Sequence, residues 1–259
     1  MTRRLAAVFA HPDDDTYGIA GTVALHRHED LALTVVLATS GEAGRIFDDS
    51  LAARETLGAV REAEDRASWA EIGVEPDLRL LRHPDGGLAG MDRAELVAEV
   101  EAILHEVRPD VVVTFGPEGV TGHEDHIAIG AATTEAFHRV RSLATDGPRR
   151  LLHVALRQSR LDRFDQWLRA RGMDPLDPTQ PFVPRGVPDA DVGVVVDCSS
   201  VYERKLEALR RHRTQAELED IPFELWPTVL GEEAFVLAWP ESPPGARPLA
   251  DVFDGLPAA

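Results

Sequence analysis

Apolar runs and amphipathic stretches alternate along the first 150 residues. "RLAAVFA" (4–10), "LALTVVLATS" (31–40) and "PDVVVTFG" (109–116) are short apolar runs, which read as strands buried on both faces. "DLRLLRH" (77–83) predicts a further strand. Between them, "TYGIAGTVALHRHE" predicts a helix with an early glycine. "LAARETLGAVREAEDRASWAEIG" (51–73) places Leu57, Val60, Ala63 and Ala67 on one helical face. "DRAELVAEVEAILHEV" (92–107) opens on Asp92 as a cap with Glu95 at the capping-box position, and "DHIAIGAATTEAFHRV" (125–140) predicts another helix. Strand–helix alternation predicts an α/β fold, a Rossmann-like three-layer sandwich with a mostly parallel central sheet.

The pattern continues less regularly beyond residue 150. "LLHVALRQS" (151–159), "DVGVVVD" (191–197) and "EEAFVLAW" (232–239) predict strands, and "SSVYERKLEALRRHRTQAELE" (199–219) predicts a helix with a serine cap. "DPLDPTQPFVPRGVP" (174–188) holds five prolines and cannot form a regular element; in a compact domain so long a loop reads as a lid or pocket wall. The expected organisation is one domain over 1–259, a Rossmann-like core to about residue 150 followed by a pocket-shaping part.

Composition narrows the function classes. The chain has 259 residues, 44% apolar and 28% charged, ordinary for a globular protein. A net charge of −18 argues against nucleic acid and against an anionic membrane surface. One cysteine, Cys198, allows no internal disulfide. The apolar run in "MTRRLAAVFAH" is too short for a signal sequence, and no stretch is long enough to span a bilayer. A cytoplasmic location is expected. Oligomeric state is left open, a homo-oligomer included. No Gly-x-Gly-x-x-Gly follows the first strand, so dinucleotide binding is not expected.

In its place stands "HPDDDTYG", a histidine and three consecutive aspartates at a strand end. A cation makes such a gathering of carboxylates tolerable. A second cluster, "TGHEDHIAIG" (121–130), follows the fourth strand and places His123 and His126 three apart. In a sheet of order 3-2-1-4-5 the first and fourth strands are neighbours, and both clusters reach one crevice. His11, Asp14 and His126 then form a His₂Asp set suited to Zn²⁺, with a position left for water; iron, cobalt or manganese also suit such ligands. Asp13 is the candidate general base. His123 is the candidate to polarise a carbonyl or protonate a leaving amine, with Asp125 holding its other ring nitrogen. The reaction class is metal-assisted hydrolysis of an amide. Two blander readings stand beside this one. The aspartates could cap the following helix, and the two histidines alone could be ordinary loop residues.

"AHPDDD" and "GHEDH" resemble the signatures of the LmbE-like, PIG-L-type deacetylases, supported by "TSGEAG" (39–44), "REAEDRASWAEIGV" (61–74) and "HRTQ" (212–215). The resemblance implies a zinc-dependent enzyme removing acetyl groups from N-acetylglucosamine units or cleaving related amides. It implies His11, Asp14 and His126 as ligands, Asp13 as base, and His123 assisted by Asp125. It also places Arg61 and Asp85 on sugar hydroxyls, although a surface arginine and a turn aspartate explain those two equally well. Asp15 stands where the family usually has glutamate, Glu124 where it has proline, and Thr121 where one branch has tyrosine. The expected substrate is a small amino sugar or glycoside. The alternatives are an amidase acting on a thiol-conjugate or antibiotic-precursor amide, and a non-catalytic sugar- or metal-binding protein. His212 is a candidate supporting residue, and Trp226 and Trp239 are candidates for a pocket wall.

Overall fold

The computed structural model describes residues 2–143, 147–180, 182–215, 222–243 and 245–257. Five strands, β1 (Arg3–Phe9), β2 (Leu31–Thr39), β3 (Asp77–His83), β4 (Val111–Phe115) and β5 (Arg150–Arg157), run parallel in the order β3-β2-β1-β4-β5. Every residue of β4, and β1 from Leu5 onward, is buried whichever way its side chain points. Helices on both faces require that pattern. Here α3 (Arg93–Val107) packs on α5 (Glu124–Leu143), while α1 (Asp14–His26), α2 (Leu57–Ile72) and α7 (Tyr202–Leu209) pack on one another.

The sheet then changes direction. β8 (Glu232–Trp239) lies antiparallel to β5, and β7 (Val194–Asp197) antiparallel to β8. One hydrophobic cluster runs through the sheet from Leu5 to Phe253 and includes Val194, Cys198, Ala208 and Phe235 from the later part of the chain. Among its described residues the proline-rich stretch is irregular except for the two-residue β6 (Gly186–Val187), which pairs with the end of β5.

Several element boundaries depart from expectation for local reasons. α2 starts at Leu57 rather than 51, because Thr56 and Ala53 close a turn on each other, Ala53 N–H donating to Thr56 Oγ1 at 3.1 Å and Thr56 Oγ1 to Ala53 O at 3.1 Å. It ends at Gly73 (φ 86°), whose N–H donates to the carbonyls of Trp69 and Ala70, the usual left-handed helix stop. Asp92 does cap α3, accepting from Ala94 N at 2.8 Å. α7 has no serine cap: Ser199 N–H is engaged by Asp197 Oδ1 (2.9 Å), and the helix runs only from Tyr202 to Leu209. Arg211 and His212 then donate to carbonyls three residues back, tightening the chain out of the helix. Residues 216–219 of the expected helix lie outside the described residues. An unexpected helix, α6 (Gln158–Ala170), follows β5 directly, and a one-turn α4 (Gly119–Gly122) precedes α5. A short helix α8 (Trp226–Leu230) leads into β8.

Candidate active site

The cluster is assembled at the carboxyl ends of β1 and β4. After Phe9 the chain turns through His11, Pro12 and Asp13 into α1, and Asp13 takes φ 113°, a costly backbone for a residue with a Cβ. Asp13 is the first flanking residue of α1, yet its side chain makes no capping hydrogen bond. Arg61 holds the turn instead, donating to Pro12 O (2.7 Å), Asp13 Oδ2 (3.1 Å) and Gly41 O (2.8 Å). Asp14 folds back so that Oδ2 accepts from the backbone N–H of His11 at 2.8 Å.

The second half arrives through α4 and α5. Gly130 lies so close to the end of β4 that a Cβ there would sit 2.5 Å from Phe115 O, which brings the first turn of α5 against the strand. The His126 ring stacks on Phe115 with centroids 4.0 Å apart and planes within 4°. Its Nδ1 donates to Gly119 O at 3.0 Å, since a carbonyl only accepts, and this leaves the Nε2 lone pair facing the cluster.

His11 Nδ1, Asp14 and His126 Nε2 converge. His11 Nδ1 is 3.2 Å from Asp14 Oδ2, His126 Nε2 is 3.3 Å from Asp14 Oδ1, and the two ring nitrogens are 3.2 Å apart. On its other side, His11 Nε2 lies 3.0 Å from Asp85 Oδ1 and 3.5 Å from Asp125 Oδ2, bracketed by both but aligned for a hydrogen bond with neither. Burial opposes a charged His11, yet Asp125, Asp14 and Asp85 together hold its pKa well above the usual value. Burial likewise opposes ionised Asp14, but His126 and His11 bring it below the usual carboxylate range. An excess of inward-facing acceptors that must borrow a proton fits a divalent cation, whose binding displaces that proton. His11, Asp14 and His126 therefore suit a metal ion in type and spacing, with the His126 tautomer fixed by Gly119 O.

Asp13 has a different character. Burial and the Asp14 charge push its pKa up, Arg61 pulls it down, and it settles at about 7, poised for proton exchange near neutrality. His123 Nδ1 accepts from the backbone N–H of Asp125 at 3.1 Å, so Nε2 carries the proton of the neutral ring. Burial and the neighbouring His11 and His126 lower its pKa. The carboxylate of Asp125 is directed elsewhere than expected: it accepts from Gly86 N (2.7 Å) and Leu88 N (3.0 Å) and reaches His11.

Seven of the eight residues singled out from sequence, His11, Asp13, Asp14, Arg61, Asp85, His123 and His126, line one cavity of about 570 Å³. Asp125 is fully buried behind it. Asp85 also accepts from Ala43 N at 2.8 Å, tying the loop after β2 to the loop after β3. A larger hollow of about 640 Å³ between residues 88–91 and α5 has no imidazole in its wall.

His212 is buried, with Nε2 3.0 Å from Thr16 Oγ1, and burial lowers its pKa to about 3. Trp226 packs with Leu206, Leu209 and Leu230, and Trp239 contacts His138 and Arg141; neither lines the cavity. The wall side chains that sequence reasoning missed are Arg45, Phe47, Phe182 and Gln215. Only the proline content around Phe182 and the "HRTQ" match around Gln215 pointed their way. Beneath the cluster, Trp69 Nε1 donates to Asp15 Oδ2 at 2.6 Å. Burial raises the pKa of both Asp15, to about 6, and its carboxyl neighbour Asp65.

Residues 6–137 match the PIG-L family, described as GlcNAc-PI de-N-acetylase. The chain is 33% identical over 218 residues, 84% of its length and 85% of the relative's, to a probable N-acetyl-alpha-D-glucosaminyl L-malate deacetylase of Bacillus subtilis. It is 34% identical to a 1D-myo-inositol 2-acetamido-2-deoxy-alpha-D-glucopyranoside deacetylase of Saccharomonospora viridis, covering 80% of this chain and 83% of that one. The N,N'-diacetylchitobiose deacetylase of Pyrococcus horikoshii shares the fold, with a TM-score of 0.57 at 23% identity over 86% of this chain and 73% of the other.

Proposed function

The chain belongs to the PIG-L family, and from that premise we propose that it is a hydrolase removing the acetyl group from the amide nitrogen of an N-acetylglucosamine-type glycoside. The carrying observation is the pairing, in one cavity, of the His11, Asp14 and His126 cluster with a separate carboxylate, Asp13, held beside it by Arg61.

His11, Asp14 and His126 would hold the cation, for which Zn²⁺ is the proposed identity. When bound, such an ion polarises a carbonyl and makes water acidic enough to attack at neutral pH. Asp13 takes the proton of the attacking water, and Arg61 keeps its carboxylate aimed into the cavity. His123 presents a neutral ring whose proton is on Nε2, a donor for the oxygen that gains charge as the amide carbonyl becomes tetrahedral. The proton collected by Asp13 is then available to the departing amine. Asp125 acts on the other side of His11, where its charge and that of Asp85 hold the ring in place. Arg61 and Asp85 line the cavity and are proposed to meet sugar hydroxyls in addition to these contacts.

The test is acetate release from N-acetylglucosaminides with metal content measured on the same sample. His11→Ala is expected to lose metal and turnover together. Asp13→Asn is expected to keep metal and to lose turnover by about 10²–10⁴-fold. Equal metal loss in the two variants refutes the division of roles.

A further inference from the structure

Besides its histidines and carboxylates, the cavity carries two phenylalanines in its wall. Phe47 and Phe182 both line it and are 40% and 66% exposed, two of five large hydrophobic side chains so exposed among the described residues. One exposed phenylalanine needs no explanation, but two in the wall of one cavity call for one.

Both rings are carried on anchored chain. The loop below Phe47 is fixed by Ala43 N donating to Asp85 Oδ2 (2.8 Å), Arg54 Nη1 to Glu42 O (2.6 Å) and Gln215 Nε2 to Arg45 O (2.8 Å). The Arg45 guanidinium lies 4.4 Å from the centre of the Phe47 ring. Phe182 occupies the left-handed region at φ 62°, unfavourable for an aromatic residue. Past it, Arg185 N–H donates to Val120 O at 2.7 Å and β6 joins β5. The Phe182 ring is 5.2 Å from that of His123, which is 4.7 Å from that of His11. A series of rings thus leads from the metal cluster to the rim.

We propose that Phe47 and Phe182 form the subsite for the group on the sugar's anomeric carbon, and that it selects an aromatic or other flat apolar aglycone. The assignment rests on the deacetylase reading for which end of the ligand faces the cluster. Charge supports the selection. A carboxylate-bearing aglycone would enter a cavity whose wall sets Asp13, Asp14 and Asp85 against Arg61 and Arg45 on a chain of net charge −18, with Arg61 committed to Asp13 and two backbone carbonyls and the flat Arg45 guanidinium lying against the Phe47 ring. A polyhydroxylated aglycone would meet two rings that return no hydrogen bonds.

The experiment compares methyl and phenyl 2-acetamido-2-deoxyglucopyranosides, each as both anomers. Acetate release is followed with the metal-loaded enzyme, and calorimetric binding with the metal-free protein. The phenyl glycoside should be preferred by about tenfold in kcat/KM, mostly through KM, and similarly in binding. The preference should fall toward one in the Phe47→Ala/Phe182→Ala double variant and be retained in Phe182→Tyr. No preference in the natural chain, a preference that survives the double variant, or equal losses for both glycosides would overturn the subsite; the last would put the rings on the sugar itself. If no glycoside releases acetate, the deacetylase reading fails, while the binding ratio still decides the subsite.

Discussion

Replacing Glu233 with leucine is expected to be among the most damaging single changes outside the active site. The Glu233 carboxylate is 4% exposed and accepts from Lys205 Nζ (2.6 Å), Gly21 N (2.7 Å), Thr22 N (2.8 Å) and Thr22 Oγ1 (2.6 Å). Lys205 is itself 2% exposed and also donates to Tyr17 O at 2.7 Å. Glu233→Leu leaves an ammonium group in the interior without its counter-charge. Removing one partner of a buried pair costs about 3–5 kcal/mol. In a chain of this size each kcal/mol lowers Tm by about 2–4 °C, so the expected drop is roughly 6–20 °C. Urea unfolding should show the loss as a lower midpoint at constant slope. Adding Lys205→Met removes the stranded charge and should recover much of the loss. A cost below about 1 kcal/mol, far under the range for breaking such a pair, would refute the reasoning. So would a double variant no more stable than the single one, since the damage would then come from the stranded donors of α1.

Gly21→Ala should also destabilise, although alanine favours helices, because its Cβ would lie 2.7 Å from Cys198 Sγ and 2.9 Å from Glu233 Oε1; a higher Tm would contradict the close packing. His26 sits 2.6 Å from Asp251 and 3.0 Å from Glu29, and the Asp251 hydrogen bond raises its pKa against burial. A raised histidine pKa gives stability that is complete below about pH 6.5 and is lost as pH rises through the folded value. The stability gap to His26→Gln should therefore shrink between pH 6 and pH 9, and a constant gap would exclude the charge effect. Asp125→Ala removes the acceptor for Gly86 and Leu88 N–H and one of the two carboxylates beside His11 Nε2. Metal affinity, read by competition with a chelator, should fall about 10–100-fold, and unchanged affinity would remove Asp125 from the support of His11.

The strands were legible because β1, β2 and β4 are buried on both faces and so read as unbroken apolar runs. α6 was not, because β5 passes into it at Arg157–Gln158 with no glycine or proline between them. Its four large apolar positions, Leu161, Phe164, Trp167 and Leu168, are interleaved with five charges, Arg160, Asp162, Arg163, Asp165 and Arg169. Lys205 on an amphipathic helix looks like a solvent residue, and its partner lies 28 positions away on another element. The gathering of His11, Asp14 and His126 was legible for the opposite reason: charge at the end of a buried strand has few uses. Phe47 and Phe182 lie in irregular chain, where an apolar residue gives no sign of whether it faces a core or a cavity.

Three consecutive aspartates could have been a redundant helix cap, and the structure separates them instead. Asp13 points to Arg61 and the cavity, Asp14 to His11 and His126, and Asp15 to the Trp69 indole beneath. A cap would need only one acid side chain accepting from the first turn of α1, and the Asp13 carboxylate accepts nothing there. Spreading adjacent carboxylates so widely needs an unusual backbone at the first of them, which is what φ 113° at Asp13 supplies, at a cost of about 1–3 kcal/mol. A structural role gains nothing from that strain. A site that needs one carboxylate on the cation and its neighbour free to take a proton does.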